Sequence, residues 1–400
     1  MALFKIDTSV YPLALAIDGS PGAFYFSEGA SDDWVFEMQG GGWCVGVEPC
    51  YYRSLSSLGS SKNLSAMQPS PTSGPLSRNC SRTPLCSVNH VFLPYLDGNS
   101  FAGMRAEPVD YVDSHGAHHA LYFRGREILA AVIDSVRRNV MGASRRLADA
   151  VNVGVTGGSA GGLATILHAD YVLEQIPAKG LKWAAPQSGY FLDHVSVGTG
   201  TPLYSEEMAQ AYILSNASTN ANCEKKFVDF PYLCQLAQFS YPEMDTPVFL
   251  LQSVYDSWQT RCILSAMPVV EKPAAASYNC SAAPGWANCS LNMSACTVAQ
   301  VTDDVAPYGK ALAASVQIIS VNKSSAPGNG GFLDSCHTHV EAGGSGFDSI
   351  AIGGVTMAQA FAGWLADNIA SKGTTPAAQH WHTDCAYTGP QMCNPTCPDS

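Results

Sequence analysis

The stretch VNVGVTGGSAGG, residues 151–162, turns an apolar run sharply through small residues with one serine at its tip. Val151, Val153 and Val155 alternate ahead of the turn, and Leu163, Ile166, Leu167 and Tyr171 follow at helical spacing, so the stretch reads as strand, tight turn, helix. Within it Gly157-Gly158-Ser159-Ala160-Gly161 fits the pattern Gly-x-Ser-x-Gly. A nucleophilic serine held above a sheet on such a turn needs glycine on both sides, because side chains there would collide with strand or helix. A glycine-rich turn with an idle serine meets the same pattern. The rest of the chain has to decide between them.

Upstream, residues 13–18, 23–27 and 34–38 read as strands, and the third runs straight into Gly40-Gly41-Gly42-Trp43-Cys44. Three successive glycines let backbone amides converge on one point, which is what binding an oxyanion requires. A flexible linker would continue with Ser or Gly, whereas Trp43 and Cys44 anchor this run. Residues 91–96 and 120–123 read as further strands, and residues 126–140 carry Ile128, Leu129, Val132, Ile133, Val136 and Val140 at helical period. Strands alternating with helices imply a parallel sheet with crossovers.

Downstream, residues 247–254 are apolar on both faces, as a central parallel strand should be, and end at Tyr255-Asp256-Ser257-Trp258-Gln259. A helix over 297–314, a last strand over 316–321 and a glycine-containing loop over 322–335 then lead to Cys336-His337-Thr338-His339, with another helix near 355–369. The longest uncharged run, residues 349–366, is broken by Gly353, Gly354, Thr356 and Gln359 and reads as a buried helix, not a membrane span.

Only 14% of the 400 residues are charged, against roughly 25% in ordinary soluble domains, so something other than charge must keep the surface wet. Asn-x-Ser/Thr acceptors at Asn63, Asn79, Asn216, Asn279, Asn288, Asn292 and Asn322, together with 14 cysteines, point to sugar, disulfides and the secretory pathway. Metal ligation by those cysteines is disfavoured, since there is no Cys-x-x-Cys and no His-x-x-x-His on a helical pattern. Met1-Ala-Leu-Phe-Lys-Ile-Asp lacks the basic start and long apolar core of a signal peptide, so a secreted chain is expected to have had its leader removed. The net charge of −12 excludes nucleic acid as a natural partner. One domain over residues 1–375, with loop insertions near 54–86 and 271–296, and a Cys/Pro-rich tail over 376–400 packed on it, accounts for the length. A monomer is expected.

Acyl transfer by serine needs a base to take the hydroxyl proton and an acid to orient that base. In α/β-hydrolases these come in the order Ser, Asp or Glu, His, each beyond the carboxyl end of a strand. Ser159, Asp256 and His339 satisfy that order. Spacing alone does not choose between His339 and His337, two residues apart. Asp193 and Asp245 are weaker acids by position, the second lying before its strand. His115, His118 and His119 precede Ser159, and His380 and His382 sit in the tail.

Several further segments join these: Asp18-Gly19-Ser20, Phe123-Arg124-Gly125, Gly158-Ser159-Ala160-Gly161-Gly162 and Ser335-Cys336 with His339. With Gly40 to Cys44 and the Tyr-Asp-x-Trp-Gln segment they resemble the pectin acetylesterases and the related Notum-type carboxylesterases from residue 15 to about 367, siding with the former. The resemblance implies an α/β-hydrolase-like fold, a mostly parallel sheet with helices on both faces and disulfide-rich loop insertions. It implies Ser159 as nucleophile, Asp256 as orienting acid and His339 as base. It also implies oxyanion donors at the backbone amides of Gly42, Trp43 and Ala160, and no metal or cofactor. Plant pectin acetylesterases have cysteines where this chain has Gly158 and Val340, which implies a different disulfide arrangement near the site. Cys44 and Cys50 are spaced to close a short loop beside the glycines.

The implied reaction is removal of O-acetyl groups from a polysaccharide by a secreted serine esterase. De-esterified pectin is a polyanion that a chain at −12 repels unless Arg53, Arg78, Arg82, Arg124 and Arg126 form a local patch, so a neutral acetylated glycan is an equal expectation. The alternatives are a Notum-like lipid-acyl deacylase and an inactive secreted glycan-binding glycoprotein. A histidine base must be neutral, so activity is expected to fall as pH drops through about 6.5.

Overall fold

The valines ahead of Ser159 form a strand at the middle of a nine-stranded sheet. A computed structural model describes residues 1–268, 280–322, 328–374, 380–385 and 393–398. In chain order the sheet strands are β1 (Ala2–Lys5), β2 (Ala23–Ser27), β3 (Trp34–Met38), β4 (Asn89–Leu93), β5 (Val153–Gly158), β6 (Lys182–Gln187), β7 (Phe249–Ser253), β8 (Gly330–Asp334) and β9 (Trp381–Thr383). In space they run β1-β2-β4-β3-β5-β6-β7-β8-β9. β1 and β2, and β2 and β4, are antiparallel, and every later neighbour pair is parallel.

Because β3, β5, β7 and β8 are parallel, the loops after them open on one edge of the sheet, and the candidate residues gather there. The principal helices are α1 (Val47–Ser54), α2 (Gly125–Arg137), α3 (Ala160–Glu174), α4 (Leu203–Ser215), α5 (Ala306–Asn322) and α6 (Met357–Ser371). Both faces of the sheet are covered. Val155 and Leu250 share a core with Leu163, Ile166 and Leu167 of α3, while Trp183, Phe249 and Leu251 share one with Phe361 and Trp364 of α6. The α/β-hydrolase-like class expected from the sequence is what is found.

Several elements differ from expectation. Residues 13–18 make no strand beyond one bridge, Leu15 to Pro21, because the segment turns back on itself: the Ala16 and Gly22 amides donate to Ser20 O and Ala14 O at 2.8 and 2.7 Å. The strand near 120–123 is His118–Leu121, and it pairs with Val109–Val112 in a separate hairpin, so α2 crosses from β4 to β5. The strand expected over 316–321 belongs to α5. Val305, Tyr308, Leu312 and Val316 are all buried and follow one another at steps of three and four, a helical stripe. The strand is instead β8, within the segment read as a glycine-containing loop. Residues 349–366 are divided by a hairpin, Ala351–Ile352 with Val355–Thr356, before α6 begins at a Thr356/Gln359 capping box. β1, β6 and β9 are additional strands.

All 14 cysteines pair, as Cys44–Cys50, Cys80–Cys86, Cys223–Cys234, Cys262–Cys280, Cys289–Cys296, Cys336–Cys397 and Cys385–Cys393. Of the insertion at 271–296, residues 271–279 with Asn279 lie outside the described residues. Among the described residues no helix is long and apolar enough to cross a membrane.

Candidate active site

Ser159 stands between β5 and α3 with φ 58° and ψ −126°, a left-handed conformation that a non-glycine residue adopts at a cost. The elbow closes only because the positions around it are glycine. A Cβ on Gly157 would lie 2.5 Å from both Met38 O and Gly161 O. The neighbourhood concentrates such backbone: Ser100, Ser188 and Val340 also have positive φ.

Asp256 follows β7 and caps the short helix Ser257–Gln259, its Oδ1 accepting the Gln259 amide at 3.0 Å. Its Oδ2 faces His339 Nδ1 at 2.8 Å, with the aspartate fully buried and the histidine side chain 19% exposed. A buried carboxylate with one oxygen tied to the backbone presents the other in a fixed direction. The imidazole is thereby oriented with Nδ1 toward Asp256 and Nε2 directed elsewhere. The loops carrying the two residues are linked through the Ser257 amide and Thr338 O at 3.1 Å.

The step from His339 to Ser159 runs through their chain neighbours. The Val340 amide donates to Ser188 Oγ at 2.9 Å, and the Ser159 amide donates to Gln187 O at 2.9 Å. Val340 also covers Gly158: a Cβ on that glycine would come 2.5 Å from Val340 Cγ1 and 3.7 Å from its Cβ. Residues 158 and 340 are thus face to face, and with them the serine and histidine segments.

Gly40 to Trp43 lie on the other side of the serine. A Cβ on Gly40 would meet Ser159 Cβ at 3.0 Å, and Gly41 and Gly42 have φ of 148° and 62°, so the run passes close to the elbow in a conformation suited to glycine. The expected disulfide Cys44–Cys50 ties the loop to α1. The Trp43 ring packs on Phe191 and Trp258 with centroids 5.0 and 5.6 Å away, and Phe191 and Trp258 lie 6.3 and 6.4 Å from the His339 ring. Tyr204 closes this aromatic cluster, 5.8 Å from Trp43.

His337, Asp245, His118 and His119 have partners of their own. His337 Nε2 sits 3.0 Å from Thr260 Oγ1, and burial holds its pKa below the ordinary value against the pull of Asp256. Asp245 precedes β7 at the opposite sheet edge, where its Oδ2 accepts from Asn222. The Asp193 amide donates to Gln238, and its side chain meets no histidine among the described residues. His118 and His119 pair with Asp110 and Asp113 on the hairpin that also carries His115 near its turn, and His382 lies on β9 with His380 just before it.

The five arginines form no surface patch. Arg53, at 1% exposed, bonds to Gly41 O; Arg78 bonds to Cys86 O and Val88 O; Arg124 bonds to Arg105 O and Ala106 O. Arg126 lies on the Tyr171 ring beside His168, and Arg82 pairs with Asp348 at 3.4 Å. The sequence reading placed Arg53 in a candidate surface patch and did not name Ser100; these two contact the glycine run and Trp43 from behind. Nothing in their spacing distinguishes them from surface residues.

The family model described as Pectinacetylesterase matches residues 1–398. Pectin acetylesterase 11 of Arabidopsis thaliana is 28% identical over 404 residues, spanning 98% of this chain and 91% of that one. The palmitoleoyl-protein carboxylesterase NOTUM of Homo sapiens is 28% identical over 258 residues, 60% of this chain and 49% of its own. Among solved structures, the Wnt deacylase Notum from Drosophila superposes with TM-score 0.75 at 22% identity, covering 100% of this chain and 99% of that one, a likeness of fold.

Proposed function

The chain belongs to the pectinacetylesterase family, and on that premise we propose that it is a secreted serine esterase that removes O-acetyl groups from a polysaccharide. The observation that carries the reading is the His339 Nδ1 to Asp256 Oδ2 contact at 2.8 Å, at the sheet edge where Ser159 occupies its strained turn. In this reading His339 Nε2 takes the proton of Ser159 Oγ as the oxygen attacks the ester carbonyl. The amides of Gly42, Trp43 and Ala160 hold the resulting oxyanion. The protonated imidazole then gives its proton to the leaving sugar oxygen, which departs as a hydroxyl, and water, activated by the same base, releases acetate from the acyl-enzyme.

The family match supports acetyl as the acyl group. Similarity to NOTUM over 60% of the chain supports a second reading, a lipid-acyl ester. A neutral acetylated glycan is favoured over pectin, because the net charge of −12 is not offset by a cluster of free arginines. Two measurements test the proposal. An organophosphonate should label Ser159, and absence of the adduct sinks the serine mechanism. Acetate release should be compared on acetylated xylan, acetylated pectin, p-nitrophenyl acetate and a long-chain acyl ester. Preference for the long chain would replace the polysaccharide reading with the lipid one.

A further inference from the structure

Arg53 is a buried cation without a carboxylate. Among the described residues no acidic side chain lies within ion-pair distance of it, and nearby Asp97 spends its oxygens on the amides of Asn99, Phe101 and Gly103. Its guanidinium instead lies 4.8 Å over the Tyr95 ring and donates to Leu58 O at 3.2 Å, Gly41 O at 2.8 Å and Gly42 O at 3.5 Å. An apolar side chain would fill this space at lower desolvation cost, so a role beyond packing is indicated. In a trans peptide the carbonyl and the following N–H point to opposite sides. Drawing the Gly41 and Gly42 carbonyls toward Arg53 therefore aims the amides of Gly42 and Trp43 the other way, and a charge-assisted bond to each carbonyl polarises them as donors.

The third donor is tied to the same apparatus by Ser100, which is fully buried. Ser100 Oγ accepts from Trp43 Nε1 and donates to Ala160 O, both at 2.8 Å, so one hydroxyl spans the glycine loop and the first residue of α3. The Ser100 amide donates to Tyr95 Oη at 2.8 Å, and Tyr95 is also the ring beneath Arg53. We propose that Arg53 and Ser100 are the positioning residues of the oxyanion site, holding the amides of Gly42, Trp43 and Ala160 in register from behind. This rests on the reading of those amides as the oxyanion donors.

The test uses Arg53→Met, Arg53→Lys and Ser100→Ala in the full chain, with p-nitrophenyl acetate turnover, the rate of Ser159 phosphonylation, and carbethoxylation of His339 by diethyl pyrocarbonate read by mass spectrometry. Phosphonylation places an oxygen in the oxyanion site, whereas carbethoxylation depends on the imidazole alone. Arg53→Met and Ser100→Ala should each lower kcat about 10- to 100-fold with KM within about twofold, and phosphonylation should slow in parallel. His339 should react at the wild-type rate, and Arg53→Lys, which keeps the charge without the fork, should recover part of kcat. If the wild type takes no phosphonate on Ser159, the underlying reading fails first. If the wild type is labelled, the proposal is overturned when folded Ser100→Ala keeps kcat within about threefold, or when kcat and the His339 rate fall together. Should Arg53→Met not fold, Ser100→Ala and Arg53→Lys decide.

Discussion

Asp256 divides its two oxygens between a backbone amide and an imidazole, and the two tasks separate experimentally. Asp256→Asn can still cap Gln259 through Oδ1 while offering His339 the wrong partner. It should lower kcat about 10³- to 10⁴-fold with a small change in melting temperature, read by steady-state kinetics beside thermal unfolding. His337→Gln is the matching control. Its ring bonds to Thr260 Oγ1 and acts on Asp256 only through space, so the variant should keep kcat within about threefold while losing about 1 kcal/mol in urea unfolding. That Ser159 and Asp256 lie just beyond strands was legible from the apolar runs ahead of them, whereas the strand ahead of His339 was read at 316–321 and is β8. The choice between His337 and His339 was not legible from spacing, since residues two apart share a face of an extended segment and only the three-dimensional path of the loop separates them. Arg53 and Ser100 were illegible for a related reason: their partners are carbonyls and one indole, which leave no pattern in the chain.

At the scale of elements, β8 shows how glycine misleads. Gly330 and Gly331 read as loop residues, yet in the sheet the space above Gly330 is taken by neighbours: a Cβ there would meet His380 Cβ at 2.7 Å and Trp364 Cδ1 at 2.9 Å. Gly330→Ala should therefore destabilise the protein by about 1–3 kcal/mol, measurable as a lowered urea midpoint. The neighbouring error over 316–321 has the opposite origin, β-branched residues whose strand preference yields to a helical stripe that packs. β8 ends at Asp334, whose carboxyl burial, reinforced by Asp384, pushes up to about 7. The folded chain thus holds this proton more tightly than the unfolded chain, whose carboxyl has the ordinary value of 3.8. Its stabilising contribution is full below that value and is lost as pH rises through about 7. Asp334→Asn should be more stable than the wild type above pH 7 by on the order of 1–4 kcal/mol, the gap closing as pH falls toward 4 in calorimetric scans.

For the whole molecule, composition predicted a wet surface supported by something other than charge, and the structure spends several arginines on backbone carbonyls, where they cannot attract a polyanion. KM for acetylated pectin should accordingly fall as NaCl is raised from about 20 to 200 mM, while KM for a neutral acetylated xylan stays level. The parallel sheet was legible because strand and helix patterns alternate along the chain and residues 247–254 are apolar on both faces. The cross-links were legible as a number but not as a pairing, since closure depends on where loops meet. Seven disulfides fasten loops and tail, including Cys336 beside the histidine segment, yet the contact between elbow and histidine loop is made by Val340 resting on Gly158. A Cβ on Gly158 would lie 3.7 Å from Val340 Cβ, in the range of about 3.5–4.5 Å that a disulfide spans. At this seam the clasp is a hydrocarbon contact between Val340 and Gly158. The thiol poise of the surroundings therefore has no direct hold on the contact between the elbow and the histidine loop.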